Sequence, residues 1–362
     1  MIPIAKPFIE EEEKKAVIEV LDSGNIVQGE KVAEFEKNIA NYCGTKYAIA
    51  TNNGTSSIHT ALYALGIKSG DEVITSPFTF VASANPIIMQ GAKPVFVDIK
   101  EDTFNIDPSK IRDKITAKTK AIIVVDLYGQ IHDTKEIREI ANEYNLKIIE
   151  DACQAIGAEF NGKKAGTFGD LSCFSFYATK NMITGEGGMI TTNNEEYVEL
   201  CKRFRHHGQS EKTRYEYYDL GYNYRMTDIQ AAIGIEQLKK IDLLTQKRIN
   251  NAKMLTEGLY KISQIKIPYI KPRAKHVFHQ YTIKTEKRDQ LRNYLKENGV
   301  GCGTYYPKPL HLHPFFMKLG YKEGDFPIAE RVSKEVLSLP VHPSLTQEEI
   351  DRIIKTMGDF YA

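Results

Sequence analysis

The sequence predicts an α/β protein: a mostly parallel sheet covered by helices, followed by a smaller α+β region toward the C-terminus. Short apolar runs bounded by turn residues alternate with helical patterns through the first half of the chain, as strands joined by helical crossovers do. That alternation fades after a glycine-rich turn at 185–188, where one long helical pattern leads into a less regular remainder. At 362 residues the chain has room for two domains, placed at 12–240 and 241–362. Residues 1–11 are expected to pack near the second domain or at an interface between copies.

Each element has its own signal. Ala16, Val17, Val20 and Leu21 form a helical stripe within 10–21 that Gly24 ends, and Val32, Phe35 and Ile39 mark a helix over 30–42. Residues 47–50 read as a strand, after which Ile58, Leu62 and Leu65 mark a helix stopped by Gly66. Further strands are predicted at 72–75, 94–97, 121–126 and 147–151, with a helix over 134–144. The aromatic run Leu171 to Tyr177 suits a packed pleated surface and reads as a buried strand, with another at 189–192. The spacing then predicts a long connecting helix from Asp228 to about Leu244, a strand over 280–283 and a helix over 287–298. Thr346 to Glu349 is a capping-box pattern opening a last helix, with Ile350, Ile353, Ile354 and Met357 on one face.

Composition excludes several classes. With 48 basic and 47 acidic residues spread along the chain, the net charge of +1 supports neither a nucleic-acid groove nor an anionic-membrane surface. No apolar run approaches the ~20 residues that cross a bilayer. The first fifteen residues lack the apolar core of an export signal. Five scattered cysteines without a C-x-x-C pair fit a reducing compartment. A cytoplasmic protein is expected. His276 with His279, and His311 with His313, have no Cys or carboxylate cluster at ligand spacing, so no metal site is expected. Gly299, Gly301 and Gly303 precede Thr-Tyr-Tyr-Pro instead of a helix and form no dinucleotide fingerprint.

Three strand ends carry candidate chemistry, since ligands of open α/β sheets bind at the carboxyl ends of strands. Gly54, Thr55 and Ser56 join a strand to a helix, where exposed amides and small hydroxyls could cradle a phosphate or simply cap the helix. Asp151 ends a strand with Gln154 three residues on, and could pair with a cationic ring nitrogen or serve as an N-cap. Ser175 and Lys180 follow a third strand beside the turn Gly185 to Gly188. A lysine desolvated there becomes a nucleophilic amine. Phosphate cradle, carboxylate and amine together are the three anchors of pyridoxal phosphate (PLP).

The run SFYATKNMITGEGGMI, residues 175–190, resembles the cofactor-lysine signature of the DegT/DnrJ-type sugar aminotransferases, PLP enzymes of fold type I. The likeness extends in one collinear order through NNGTSSIHTAL, SPFTFVASAN, EDACQAIGA, GYNYRMTDIQAAIG and YYPKPLHLHP, and covers nearly the whole chain. It implies a large domain with a seven-stranded sheet and a small C-terminal domain. It also implies that Lys180 carries the cofactor, Asp151 pairs with the ring nitrogen and Gln154 sits near the ring hydroxyl. Phe80 stacks on the ring, and Gly54, Thr55, Ser56 and Ser175 hold the phosphate. Asn223 completes the phosphate site from a neighbouring subunit, making the active site a property of a homodimer. Of the substrate candidates, Arg225 offers a planar fork for a diphosphate or carboxylate, with a structural salt bridge as the competing account. Tyr306 and His311 lie in a loop that, by the resemblance, approaches the sugar.

The activity so implied moves an amino group from glutamate to a nucleotide-linked 3- or 4-keto sugar by ping-pong exchange, with Lys180 moving the proton. A keto-cyclitol acceptor and a non-catalytic PLP-binding regulatory or scaffold protein are the alternatives. A related dehydratase reaction places histidine at the lysine position, so Lys180 argues against it.

Overall fold

The computed structural model describes residues 1–210, 213 and 215–362. Its centre is a seven-stranded sheet of β1 (Tyr47–Thr51), β2 (Glu72–Thr75), β3 (Lys93–Phe96), β4 (Thr119–Val125), β5 (Lys147–Asp151), β6 (Leu171–Ser175) and β7 (Gly188–Thr192). The spatial order is β1-β7-β6-β5-β4-β2-β3. Only β7 runs against the others, pairing antiparallel with both β1 and β6. The mostly parallel sheet predicted from the alternating pattern is therefore present.

Both faces of the sheet are covered, which explains the continuous apolar runs. Along β4, Ala121 and Ile123 join one buried cluster with the helix Gly54–Ala64, while Ile122 and Val124 join another with the helix Thr134–Glu143. A third cluster packs the helices Glu30–Cys43 and Asp228–Leu259 against Phe174, Phe176 and Met189. A separate core holds β8 (Tyr281–Lys284) and β9 (Val336–Leu339), which pair antiparallel, under the helices Arg288–Glu297 and Gln347–Tyr361. Ile2 bridges to Val300 beside that core.

The helix Asp228–Leu259 differs from its expected extent. It runs 32 residues, 15 beyond Leu244, and the proposed boundary at 240 falls inside it. Its early residues Ala231, Ile235 and Ile241 belong to the core under the large sheet, and Ala252, Leu255 and Leu259 to the second core. The apolar stripe is interrupted where Arg248 and Asn251 face inward, and this interruption hides the continuation. Both are buried and bonded, Arg248 Nη1 to the Phe278 carbonyl at 3.2 Å and Asn251 Nδ2 to the His342 carbonyl at 2.9 Å. The helices Glu195–Arg205 and Pro327–Glu335, with the short ones Asn85–Met89 and Pro314–Met317, were not marked by the sequence pattern.

One close contact packs the long helix against the helix Glu30–Cys43. Gly234 lies beneath the fully buried ring of Phe35, and a Cβ there would sit 2.5–2.9 Å from three ring atoms. In an open helix, Ala would exceed Gly by about 1 kcal/mol. Here the overpacking dominates. Gly234→Ala is expected to destabilise the protein by ~1–3 kcal/mol in urea unfolding, and a rise in stability would contradict this packing.

Candidate active site

Three strand ends meet at one cavity of about 690 Å³. β1 delivers the start of the helix Gly54–Ala64, β5 ends on Asp151 and β6 ends on Ser175. Close approach of backbone makes the junction possible. A Cβ on Gly54 would stand 2.8 Å from Ser175 Cβ and 3.0 Å from Cys153 Sγ. A Cβ on Gly188, which pairs with both Thr51 and Ser175, would stand 2.4 Å from the Asn53 carbonyl oxygen. Asn53 caps the helix by accepting from the Ser56 amide at 2.9 Å and the Ser56 hydroxyl at 3.1 Å. The Gly54 and Thr55 amides precede the helical bonding pattern, so this helix start offers donors to an anion.

Lys180 reaches the same cavity from a turn pinned on both sides. Its amide donates to the Tyr177 carbonyl at 2.8 Å, Asn181 Nδ2 donates to the Val277 carbonyl at 3.0 Å, and Met182 is fully buried in the core. Burial lowers the pKa of the Lys180 amine below the usual lysine value, against the opposing pull of Cys153 and Asp151. Among the described residues no carboxylate pairs with it at salt-bridge distance.

Asp151 is buried, with Oδ2 accepting from Ser83 Oγ at 2.6 Å and Oδ1 from the Cys153 amide at 3.2 Å. Gln154 is held with one orientation. Its Oε1 accepts from the Tyr128 amide at 2.9 Å, so its amide nitrogen faces Tyr306, donating to that hydroxyl at 3.3 Å. Phe80 is 56% exposed and lines the cavity with Tyr306, their ring centroids 6.2 Å apart.

A sequence profile described as the DegT/DnrJ/EryC1/StrS aminotransferase family matches residues 7–358. The chain belongs to this family. It is 46% identical over 346 residues to a pleiotropic regulatory protein of Geobacillus stearothermophilus, spanning 95% of this chain and 92% of that one. It is 40% identical over 363 residues to the GDP-perosamine synthase of Caulobacter vibrioides, spanning 98% and 97%. Among solved structures, DesV of S. venezuelae superposes with a TM-score of 0.95 at 34% identity, covering 99% of each chain.

The DegT/DnrJ/EryC1/StrS member described here is a PLP-dependent aminotransferase, and its residues fit that cofactor. The helix start pressed against Ser175 forms a cradle that a Cβ at Gly54 would disturb. A bonded carboxylate and a desolvated amine line the same space. Gly54, Thr55, Ser56, Phe80, Asp151, Gln154, Ser175, Lys180 and Tyr306 all line it.

Three expected residues do not. His311 is a correction: it is fully buried, its Nε2 lies 2.9 Å from Glu330 Oε1, and its ring packs edge-on to Phe326. It is tied to the helix Pro327–Glu335 and does not line the cavity. Asn223 is exposed outside the cavity, although its neighbour Tyr224 lines it. Arg225 also lies outside, with Nη1 buried and without a partner, and among the described residues no salt bridge holds it.

Sequence reasoning missed Ser83, Thr79, His279 and Glu186 in the lining. His279 was considered in the sequence only as a metal ligand and set aside. It is buried at the cavity wall, and burial holds its imidazole well below the usual histidine pKa, hence neutral. Among the described residues, no group of three His, Cys, Asp or Glu could hold a metal ion and no helix is long and apolar enough to cross a membrane.

Gly54→Ala is expected to raise the PLP dissociation constant at least ~10-fold, because the added methyl forces the helix start off Ser175 and Cys153. Absorbance titration of the apo-protein measures this. Unchanged affinity would show that the cradle tolerates the shift.

Proposed function

We propose that this chain transfers an amino group from glutamate to a nucleotide-linked 3- or 4-keto sugar, as a step in amino-sugar biosynthesis. One observation carries the reading: a phosphate-ready helix start, a fixed carboxylate and an unpaired, desolvated lysine converge on one cavity. The Caulobacter relative, named for GDP-perosamine, supports a nucleotide-sugar acceptor.

PLP, when bound, supplies an aldehyde that takes up the amino group and a ring that withdraws electrons from the reacting bond. Gly54, Thr55, Ser56 and Ser175 would hold its phosphate by amides and hydroxyls. Asp151 would hold the ring nitrogen, and Gln154, locked by the Tyr128 amide, would offer its N–H to the ring hydroxyl. Phe80 presents an exposed face for stacking. Lys180 Nζ would hold the aldehyde and, as a neutral amine, take and return the proton. An amine with an ordinary lysine pKa would be almost entirely protonated at neutral pH, so its desolvation suits that task.

The substrates are anionic, yet Lys180 is the single lysine or arginine among the described lining residues and is committed to the cofactor, while His279 is neutral. A second cation is needed. Arg225 has a buried, unpartnered nitrogen, and Tyr217, Tyr218, Leu220 and Asn223 lie exposed on the same segment. In our reading a second copy of the chain brings Asn223 and Arg225 to this cavity as a homodimer.

Lys180→Ala is expected to lose amine transfer by ~10⁴-fold or more and to lose the pyridoxyl group that borohydride fixes to the native chain, read by mass spectrometry. Retained transfer would refute the assignment. A panel of GDP-, dTDP- and UDP-linked keto sugars with a cyclitol ketone, each with glutamate, scores the acceptor by new amine formed. A regulatory protein would aminate none. Mixing inactive Lys180→Ala and Asn223→Ala chains through reversible dissociation should recover activity, since a mixed dimer holds one intact site. Persistent inactivity of verified mixed dimers would place both residues in one chain's site.

A further inference from the structure

The turn after β2 carries two hydroxyls with no part in the reading above. Ser83 Oγ lies 2.6 Å from Asp151 Oδ2, and Thr79 Oγ1 lies 2.9 Å from Ser83 Oγ. All three side chains are buried, with exposures of 1%, 2% and 5% for Ser83, Thr79 and Asp151. An ionised carboxylate only accepts hydrogen bonds, so the single Ser83 proton goes to Asp151. Thr79 must then donate to Ser83. The two hydroxyls form a one-way line of donors ending on the carboxylate.

We propose that Ser83, backed by Thr79, is the positioning residue that sets the plane of the Asp151 carboxylate toward the cofactor's ring nitrogen. Asp151 stands at the end of a strand, where its carboxyl group is otherwise free to turn about its own bonds. The Cys153 amide fixes Oδ1 at 3.2 Å, and Ser83 fixes Oδ2. With both oxygens held, the rotational freedom is removed before the ring arrives, and binding does not have to remove it.

The same turn supplies the stacking ring. Ser83 donates its amide to the Phe80 carbonyl at 3.0 Å, closing a short 3-10 turn over Val81–Ser83 with Phe80 as its first flanking residue. Phe80 and Ser83 thus move as one piece. One face of the ring and the partner of its nitrogen are set by a single five-residue stretch, Thr79 to Ser83.

This proposal rests on Asp151 being the ring-nitrogen partner, and the test separates the two. The apo-protein is titrated with PLP and with its 1-deaza analogue, in which a C–H replaces the ring nitrogen. Asp151→Asn reports on the parent reading alone: it should weaken PLP and leave the analogue nearly unchanged. Ser83→Ala should weaken PLP by about 5- to 20-fold, the range of one hydrogen bond to a charged group seen through its partner, and the analogue by less than about twofold. Ser83→Thr should restore PLP affinity, and Thr79→Val should repeat the Ser83→Ala pattern at smaller size. Equal loss for both ligands in Ser83→Ala would make Ser83 a merely structural residue and overturn the proposal. Unchanged PLP affinity would overturn it as well. Equal binding of both ligands by wild type and by Asp151→Asn would instead remove the parent reading, and this proposal with it.

Discussion

The active site depends on how closely one helix start can approach two strand ends. Gly54 lies against Ser175 and Cys153, and Gly188 lies under the Asn53 carbonyl, at distances that leave no room for a β-carbon. Only at that separation do the amides of the helix start, the hydroxyl closing β6 and the carboxylate closing β5 share one cavity. The sheet order makes the approach possible. β7 runs between β1 and β6, and its first residue, Gly188, pairs with both Thr51 and Ser175. The antiparallel strand is thus the spacer that sets the width of the site.

Around that seam, side chains are aimed by bonds and packing already made within the folded chain. Gln154 is turned by a backbone amide of Tyr128, Asp151 by a hydroxyl and a second amide, and Lys180 by the buried Met182 and bonded Asn181 that follow it. Each aiming bond removes a rotation that binding would otherwise have to freeze. The cavity is therefore shaped for its ligand in advance, with a cost carried by folding.

Much of this was legible in the sequence, for definite reasons. Strand ends and the glycine-rich turn are local signals, so Asp151, Ser175, Lys180 and the Gly54 to Ser56 cradle could be picked out from flanking patterns. The resemblance assigned them roles that one-dimensional spacing could not. Tertiary facts were hidden. Ser83 looks like any loop serine until Asp151, 68 positions away, is seen beside it. His311 was expected near the substrate because the resemblance brings its loop there, but Glu330, 19 residues on, claims its ring. The long helix outran its expected end because buried Arg248 and Asn251 break the apolar stripe while bonding backbone carbonyls.

That helix has one more implication. At 1.5 Å per residue its 32 residues extend ~48 Å, a single rod whose two ends are embedded in different hydrophobic clusters. Hinged bending between the two clusters would have to fracture the rod or unseat one end. A cut at residue 240 would part Ile241 from the core under the large sheet, while Ala252, Leu255 and Leu259 would stay with the second core.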